Sequence, residues 1–267
     1  MIAKLRKQGA LILRKRPALY DFVANIYSTL SVVHLKELIV GTKAREKYWA
    51  TRHLHEGERR RDDWGEGSDD WIKGYWNSQN HSHRPFLIDK IFSFSPISSI
   101  LEIGCNCGPN LYLLAKKLPN AEIRGIDINP MAVQKGNELF AQEGISNVKL
   151  LVGKADELEQ FRDKSFDVVF TDAVLIYVGP DKIKEVMKGM IRIARRALIV
   201  VEQHYFESRN RDPHGLGVYR YGLWIRDYIG LLKQFVPEEH ISITRITEDI
   251  WPDERWKETG AIIEAVL

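Results

Sequence analysis

The sequence predicts an α/β protein built on a doubly wound, mostly parallel sheet of seven strands. In residues 85–267, short apolar runs alternate with stretches whose apolar residues recur at helical spacing. Runs that are apolar throughout are typical of parallel strands covered by helices on both faces. Two strand-like runs at the end, HISITRITE and GAIIEAVL, have no helical pattern between them. They predict an antiparallel edge of the sheet.

Each remaining strand is predicted from a short apolar run, and each helix from an amphipathic run after it. The strands are ISSILEIG, AEIRGIDI, NVKLLVG, FDVVFTD and RALIVVEQ. The helices are PNLYLLAKKL, PMAVQKGNELFAQE and PDKIKEVMKGMIRIAR. All three helical runs begin with proline, which is well tolerated in the first turn because its missing N–H would have no partner there.

Charge and apolar patterning divide the chain into three predicted regions. Residues 1–50 hold ten Lys or Arg against three Asp or Glu, with apolar residues at helical spacing between 19 and 33, which predicts a basic, amphipathic helical extension. Residues 51–84 are polar and tryptophan-rich, which indicates an irregular segment. Residues 85–267 form the α/β domain.

The basic extension has several interpretations. Its apolar stripe suits packing on the main domain or on a second copy of the chain, so a homo-oligomer is one expectation. Residues 1–40 also suit peripheral contact with an anionic membrane surface. Clustered Lys and Arg are a footprint of nucleic-acid binding as well, although we expect a nucleic-acid partner less.

Cysteine content and hydropathy indicate where the protein works. There are two cysteines, two positions apart, so no disulfide framework is predicted and a reducing cytoplasm is expected. Arg14, Lys15 and Arg16 interrupt the first apolar stretch, which does not resemble a secretory signal. No run of eighteen apolar residues occurs. We therefore expect a cytoplasmic protein, with peripheral contact at the inner membrane surface as a hypothesis.

The loop GCNCGPN after the first predicted strand indicates a ligand site. In a doubly wound sheet, ligands bind beyond the carboxyl ends of the strands. Gly104 allows a sharp turn and close approach of a ligand, and Asn106 tolerates a positive φ. Gly108 precedes a helix. Cys105 and Cys107 lack a second cysteine pair, so no metal site is predicted.

Two acids at the next strand ends define the expected ligand. Asp127 ends the second strand, where a carboxylate can accept hydrogen bonds from both ribose hydroxyls. Asp156 follows the third strand and can accept a bond from an adenine amino group. A dinucleotide loop would have G-x-G-x-x-G, but the middle position here is Asn106. The pattern favours an adenosine that carries something other than phosphates.

Four motifs in order, LEIGCNCGPN, GIDINP, GKADEL and FDVVFTDAVLIYV, resemble those of class I S-adenosylmethionine-dependent methyltransferases over about residues 85–205. The resemblance implies a Rossmann-like fold, S-adenosylmethionine as cofactor and S-adenosylhomocysteine as product. It also implies that residues 51–84 cover the cofactor. The departure from the family is Asn106 where glycine is usual.

The resemblance also implies a set of cofactor-binding residues. It places Arg84 against the cofactor carboxylate. The remaining residues lie along its methionine, ribose and adenine parts or close the pocket near the methyl donor: Glu102, Gly104, Asn106, Gly108, Asp127, Ile128, Ala155, Asp156, Asp172, Ala173 and Leu175.

Acceptor chemistry is expected at the ends of the fourth and fifth strands. His204 is the first candidate for a general base on a hydroxyl acceptor because its ordinary pKa suits that role. Tyr177 and Glu202 are further catalytic candidates, and His81 or His83 could approach the acceptor. The long segment after the fifth strand holds aromatic and basic residues that could line an acceptor pocket: Tyr205, Phe206, Arg209, Arg211, Tyr219, Arg220, Tyr221 and Trp224.

The expected activity is methyl transfer to a small-molecule or glycan-precursor acceptor, on oxygen. The amino-group methyltransferase motif Asn/Asp-Pro-Pro-Tyr is replaced here by TDAVLIYV, which favours an oxygen acceptor. Alternatives are an RNA or protein methyltransferase that docks through the basic extension, a non-catalytic cofactor-binding module, and a nicotinamide enzyme.

Overall fold

The computed structural model describes residues 41–55, 71–206, 217–220 and 222–267. Its centre is a seven-stranded sheet in the order β3-β2-β1-β4-β5-β9-β8. The strands of this sheet are β1 (Ser99–Ile103), β2 (Glu122–Asp127), β3 (Val148–Val152), β4 (Phe166–Asp172), β5 (Ala194–Gln203), β8 (Ile241–Arg245) and β9 (Gly260–Val266). The first five strands pair in parallel, and β9 pairs antiparallel with both β5 and β8. The predicted fold class is confirmed.

Helices cover both faces of the sheet, as a doubly wound fold requires. The helices in chain order are α1 (Lys43–Ala50), α2 (Trp71–Asn77), α3 (His83–Phe92), α4 (Pro109–Lys117), α5 (Pro130–Gln142), α6 (Ile183–Ile193), α7 (Tyr228–Leu232) and α8 (Glu254–Thr259). One apolar core joins α3, α4 and α5 to one sheet face. The other joins α6 and α7 to the opposite face.

The chain switches from strand to helix where its polar residues can satisfy free backbone groups. The Asn129 side chain accepts hydrogen bonds from the N–H groups of Met131 and Ala132 and so caps α5. Pro130 occupies the first helical position. The cap also fixes the turn directly after Asp127, and this turn determines where that carboxylate lies.

Three parts of the fold differ from what periodicity predicts. The short helix α8 lies between the last two strands, although the sequence shows no helical pattern there; Trp256 on it is 5% exposed, so tertiary packing supports this helix. The long segment after β5 contains a two-stranded hairpin, β6 (Val218–Arg220) with β7 (Leu223–Ile225). Residues 71–77 form a regular helix and another begins at residue 83, although the sequence predicts an irregular segment over 51–84.

Some expectations fall on parts of the chain that the structure does not describe. The amphipathic stripe, the membrane-contact interpretation of residues 1–40 and the basic residues Arg209 and Arg211 lie outside the described residues, as does Tyr221. Within the described ranges, no helix is long and apolar enough to cross a membrane.

Candidate active site

A cavity of about 410 Å³ opens above the carboxyl ends of β1 to β4. Predicted residues at or just past the end of each of these strands line the cavity: Gly104 and Asn106, Asp127 and Ile128, Ala155 and Asp156, and Asp172 and Ala173. Clefts of a few hundred Å³ at this edge are the usual ligand sites of such sheets. Residues from α1, α2 and the segment 251–256 close the cavity from above.

The loop after β1 is shaped by two left-handed residues. Gly104 has φ of +75°, and a β-carbon there would lie 2.3 Å from Val174 Cγ2, so only glycine fits. Asn106 has φ of +53°, and its side-chain oxygen accepts a hydrogen bond from Cys107 N at 2.7 Å. Asparagine therefore keeps the turn that the family usually builds with glycine, because its short polar side chain supports this conformation.

The two thiols beside Asn106 are packing groups. Cys105 and Cys107 are buried, and burial raises the pKa of each thiol well above its ordinary value. Deeply buried neutral thiols are poor nucleophiles and poor metal ligands. Gly108, the second glycine of the predicted loop, does not line the cavity. A β-carbon on it would lie 2.9 Å from the Phe140 ring, so glycine there allows close packing of α4 on α5.

Asp127 lies at the tip of β2 with both oxygens held by backbone amides. Its Oδ2 accepts from Asn106 N at 2.8 Å, and its Oδ1 accepts from Asn129 N at 2.8 Å. Burial raises the pKa of this carboxyl to about 6, although both amide bonds oppose the shift. Because each carboxylate oxygen has a further lone pair, two hydroxyls of a ribose can still be bound.

Asp156, at the expected adenine end, is part of a charged cluster that fastens α1 over the cavity. Lys182 Nζ donates to Asp156 Oδ2 at 2.5 Å and also pairs with Glu46 on α1. Trp49 on the same helix packs its ring 4.8 Å from that of Tyr177, measured between centroids. This part of the chain closes the cavity on the side of β3 and β4.

Asp172, at the end of β4, is the centre of a buried polar network. Its Oδ2 accepts from His83 Nε2 at 2.9 Å, Asn110 Nδ2 at 2.9 Å and Arg84 at 3.2 Å. Burial opposes ionisation, but the charges and hydrogen bonds of His83 and Arg84 hold the pKa of Asp172 below its ordinary value. Asp172 is therefore a carboxylate at neutral pH.

Two carboxyl oxygens in this network have no hydrogen-bond partner among the described residues. They are Asp172 Oδ1 and Glu102 Oε2. Asn110 Nδ2 joins the two acids, because it also donates to Glu102 Oε1 at 2.7 Å. Burial raises the pKa of Glu102 to about 8. The Glu102 carboxyl is therefore mostly protonated at neutral pH, whereas Asp172 Oδ1 is a buried acceptor without a partner among the described residues. Such an acceptor is costly unless a ligand satisfies it, and a ligand with an ammonium group supplies a matching donor.

The other predicted cofactor residues stand further from the cavity. Arg84 is 1% exposed, and its guanidinium already donates to Asp172, Asn110 and Ser78; it does not line the cavity. A cofactor carboxylate would have to replace these partners. Leu175 is buried beneath the cavity, where its N–H donates to Glu202 at 2.9 Å.

Of the three predicted catalytic residues, the structure brings only Tyr177 to the cavity. Glu202 is fully buried and accepts hydrogen bonds from Thr171 Oγ1 and three backbone N–H groups at 174–176. Burial raises the pKa of Glu202 to about 7. It holds the turn after β4 in place and does not face a substrate.

His204 also lies away from the cavity. It is 4% exposed, its Nδ1 accepts from Tyr228 N at 3.2 Å, and its ring packs against Phe206 with centroids 5.0 Å apart. The sequence placed it correctly after β5, but the backbone turns it toward α7. Its proposed role as base has no geometric support.

The sequence did not indicate the cavity wall that the segment 251–256 forms. Trp251, Pro252, Asp253 and Trp256 line the cavity there, and no motif pointed to them. His81 also lines the cavity, as one of the two histidines that the sequence singled out upstream. Tyr75, Trp71 and Trp49 complete the aromatic lining from the N-terminal side.

The fold and the ends of its strands thus define a nucleoside-binding α/β protein, and comparison with known proteins refines this class. Residues 95–213 match the family model of a methyltransferase domain. These residues therefore form a methyltransferase domain. The predicted family, enzyme class and cofactor are confirmed for this part of the chain.

The relatives found by sequence are partial matches. A probable chloroplastic tocopherol O-methyltransferase of Oryza sativa subsp. japonica is 34% identical over 43% of this chain and 31% of its own length. The tRNA N(3)-cytidine methyltransferase METTL6 of Homo sapiens is 29% identical over 40% of this chain and 38% of its own. The first curated relatives are matched over 31% to 56% of their lengths.

Solved structures share the fold at low identity. Magnesium protoporphyrin IX methyltransferase from Synechocystis PCC 6803, solved with bound SAM, superposes with a TM-score of 0.57 at 15% identity, covering 84% of this chain and 96% of that one. Geranyl diphosphate C-methyltransferase from Streptomyces coelicolor A3(2) gives 0.58 at 11% identity, covering 84% and 97%. These likenesses concern the fold.

Proposed function

We propose that this chain transfers the methyl group of S-adenosylmethionine to a hydroxyl oxygen of a small-molecule or glycan-precursor acceptor. The observation that carries the proposal is the composition of the single cavity above β1 to β4. One half has acids and bare backbone suited to a nucleoside, and the other half has aromatic rings and a histidine suited to an acceptor. Both halves meet at Asp172.

The donor half consists of the residues that follow β1, β2 and β3: Gly104, Asn106, Asp127, Ile128, Ala155 and Asp156. Asp127 would bind the ribose hydroxyls, Ile128 would pack on the adenine, and Asp156 would meet its amino edge. The partnerless oxygen of Asp172 would accept from the ammonium group of the methionine part. When bound, the cofactor supplies an already activated methyl group on a positively charged sulfur.

The acceptor half consists of Tyr75, His81, Tyr177, Trp251, Asp253 and Trp256. Its rings pack closely: Trp251 stacks on Trp256 with centroids 3.8 Å apart, at 7° between the planes. Rigid aromatic walls bind flat rings and the apolar faces of sugars by burying area at low entropic cost. Asp253 supplies a polar group that can orient an acceptor hydroxyl.

The protein's contribution to such a reaction is mainly orientation. Holding two reactants in line within one enclosed space converts a bimolecular step into an effectively unimolecular one. α1 covers part of the cavity, and the Lys182–Glu46 ion pair holds it there. Several relatives and structural neighbours are methyltransferases named for small acceptors, among them tocopherol, geranyl diphosphate and magnesium protoporphyrin, which supports the acceptor class.

The test is a screen with methyl-labelled S-adenosylmethionine. The purified full chain is incubated with pools of hydroxylated metabolites, glycan precursors, peptides and RNA, and the label is followed into product. We expect label in a small hydroxylated molecule, as an ether that resists mild acid and base. An Asp89→Asn variant, changed at an exposed site away from the cavity, serves as the activity control.

Other outcomes of the screen would support one of the alternative functions. Label in RNA, with binding that weakens steeply as salt rises, would instead favour the RNA alternative, which has one partial relative of that kind. Label in peptide would favour a protein methyltransferase. Binding of S-adenosylhomocysteine without transfer to any pool would favour a non-catalytic module, and binding of NAD(H) in its place would contradict the cofactor assignment.

A further inference from the structure

Two histidines connect Asp172 to the acceptor half of the cavity. His83 Nε2 lies 2.9 Å from Asp172 Oδ2, and His83 Nδ1 lies 2.5 Å from His81 Nδ1. His83 is 1% exposed, whereas His81 lines the cavity. The three side chains therefore form a hydrogen-bonded chain that leads from a buried carboxylate to the place where an acceptor would lie.

The aromatic wall fixes the orientation of this chain. The His83 ring stacks on Trp251 with centroids 3.9 Å apart and 22° between the planes. The His81 ring meets the same indole edge-on, at 5.4 Å. Because Trp251 is itself stacked on Trp256, neither imidazole can rotate without disturbing the wall.

The carboxylate determines which nitrogens carry protons. Asp172 is ionised, so it accepts the proton of His83 Nε2–H. In a neutral imidazole the other nitrogen then has a lone pair, and His83 Nδ1 becomes an acceptor. The hydrogen between the two Nδ1 atoms must come from His81. His81 is left with its lone pair on Nε2, the atom at the far end of the chain.

Both histidines are neutral at physiological pH. Burial lowers the pKa of His81, and the positive charge of Arg84 lowers it further, as protonation of His83 would; the Asp172 carboxylate opposes the shift. Burial also lowers the pKa of His83, against the carboxylate of Asp172. His81 lines the cavity, and a neutral histidine at such a site can accept a proton on the imidazole nitrogen that carries the lone pair.

We propose that His81 is the catalytic base that takes the proton of the acceptor hydroxyl, with His83 and Asp172 as its positioning residues. The inference rests on the proposed function. The acceptor O–H bond breaks and its proton goes to His81 Nε2. The freed oxygen electron pair forms the new O–CH₃ bond, and the sulfur keeps the electrons of the broken S–CH₃ bond.

The hydrogen-bonded series of His81, His83 and Asp172 also explains how a buried site can hold the positive charge of the transferred proton. As His81 gains a proton on Nε2, it can pass its Nδ1 proton to His83 Nδ1. The positive charge then lies on His83, in direct contact with the Asp172 carboxylate. A charge in a buried place is far less costly beside an opposite charge than alone. The proton leaves to solvent when the product departs.

The first test needs no acceptor. Nitrogen-15 NMR of the full chain with S-adenosylhomocysteine reports which imidazole nitrogen is protonated. At pH 7.5 (about one unit above the ordinary histidine pKa) we expect His81 as the Nδ1–H form and His83 as the Nε2–H form. Finding His81 as the Nε2–H form would overturn the proposal, because the nitrogen assigned as base would already carry a proton.

The second test uses whichever hydroxylated acceptor the screen identifies. His81→Gln should lower kcat by about 10²- to 10⁴-fold, the usual contribution of a general base. Affinity for S-adenosylhomocysteine should stay within twofold of wild type. His240→Gln, at a 3₁₀ turn remote from the cavity, is the matched control and should keep wild-type kcat. A kcat for His81→Gln within fivefold of wild type would overturn the proposal.

The positioning role has its own measurement. Asp172→Asn should move the acidic limb of the kcat–pH profile to lower pH, because the carboxylate is the group that favours protonation of the histidine pair. A purely structural residue would lower kcat without moving this limb. Should Asp172→Asn fail to fold, the NMR result and His81→Gln still decide. If wild type transfers no label to any hydroxylated acceptor, the proposed function fails, whereas an active wild type with an equally active His81→Gln rejects only this inference.

Discussion

The donor half and the acceptor half of the cavity are built in different ways. The donor half comes from loops at 104–106, 127–128 and 155–156, which follow three strands that pair directly with one another. The acceptor half combines Tyr75 of helix α2, His81 before α3, Tyr177 after β4 and the segment 251–256 near the end of the chain. The sheet alone positions the first half. Packing between distant segments positions the second.

This difference bears on what each half can recognise. A site fixed by adjacent parallel strands keeps its shape as long as the sheet folds, which suits a constant donor. A site assembled from segments outside the sheet can change its lining without disturbing the strands, which suits acceptors that vary between related proteins. Asp172 belongs to β4 but contacts His83 on α3, and so it couples the two halves.

The largest expected effect tests the backbone of the donor half. Gly104→Ala would place a β-carbon 2.3 Å from Val174 Cγ2 in a residue with φ of +75°. Left-handed backbone costs an alanine about 1–2 kcal/mol, and overpacking adds about 1–3 kcal/mol. We expect the free energy of unfolding to fall by this sum in urea denaturation, and S-adenosylhomocysteine binding to be lost in calorimetry.

Gly144→Ala is the matched control for this variant. Gly144 has φ of +69°, but a β-carbon there would meet nothing within 4 Å. Its free energy of unfolding should fall only by the cost of the left-handed backbone, about 1–2 kcal/mol. Its affinity for S-adenosylhomocysteine should equal that of wild type. If both variants behaved alike, the shape of the Gly104 loop would not matter for the donor half.

The next effect separates the two halves. Asp127→Asn keeps the size of the side chain but replaces an ionised acceptor of two hydroxyl bonds, and should weaken S-adenosylhomocysteine binding by about 1–3 kcal/mol. His81→Gln, in the acceptor half, should leave that affinity unchanged. Calorimetry on both variants and on Asp89→Asn, an exposed acid paired with Lys117, provides the comparison. Equal affinity in all three would contradict the ribose assignment of Asp127.

The same difference explains what the sequence could predict. Apolar runs, helix starts and the order of four motifs indicate the sheet, the cofactor class and the loops of the donor half. These signals are local: Gly104, Asn106 and Asp127 each follow a strand that can be recognised from a few neighbouring residues. Their geometry agrees with the expected site, while their roles toward a bound cofactor stay predictions.

The acceptor half could not be predicted in this way, because its residues are set by tertiary packing. Glu202 lies at the end of β5 and His204 directly after it, as expected. However, Glu202 accepts hydrogen bonds from backbone amides after β4, and His204 accepts one from the first residue of α7. Trp251 carries no local motif, and it reaches the cavity only because the chain returns over the sheet near its end. The domain boundaries and the membrane interpretation of residues 1–40 stay predictions.

A pH effect of intermediate size follows from Asp127. Its pKa is raised to about 6 in the unliganded protein, and bonds from two hydroxyls would favour the ionised form. Binding should therefore release a proton below about pH 6, so affinity for S-adenosylhomocysteine should fall as the pH drops, by at most about tenfold per unit. Glu102, whose pKa is raised to about 8, also titrates near this range. Its contribution is the same in wild type and Asp127→Asn, so it cancels when the affinity–pH profile of the variant is subtracted from that of wild type. A difference profile that is flat between pH 5 and 7 would exclude Asp127 as the titrating group (this range is about one unit either side of its pKa).

The smallest expected effect concerns helix α1, which lies over the cavity. Thr42, which precedes α1, donates from Oγ1 to Asp181 Oδ1 at 2.6 Å and accepts there from Gly179 N at 2.8 Å. Thr42→Val keeps the side-chain shape but removes both bonds, worth about 0.5–1.5 kcal/mol each. If α1 must lift for the donor to leave, stopped-flow measurements should show S-adenosylhomocysteine dissociating several-fold faster. Thr51→Val, whose hydroxyl bonds Lys47 O within its own turn, should dissociate at the wild-type rate. Identical rates for the two variants would mean that α1 does not limit release, and that the donor half opens by another route.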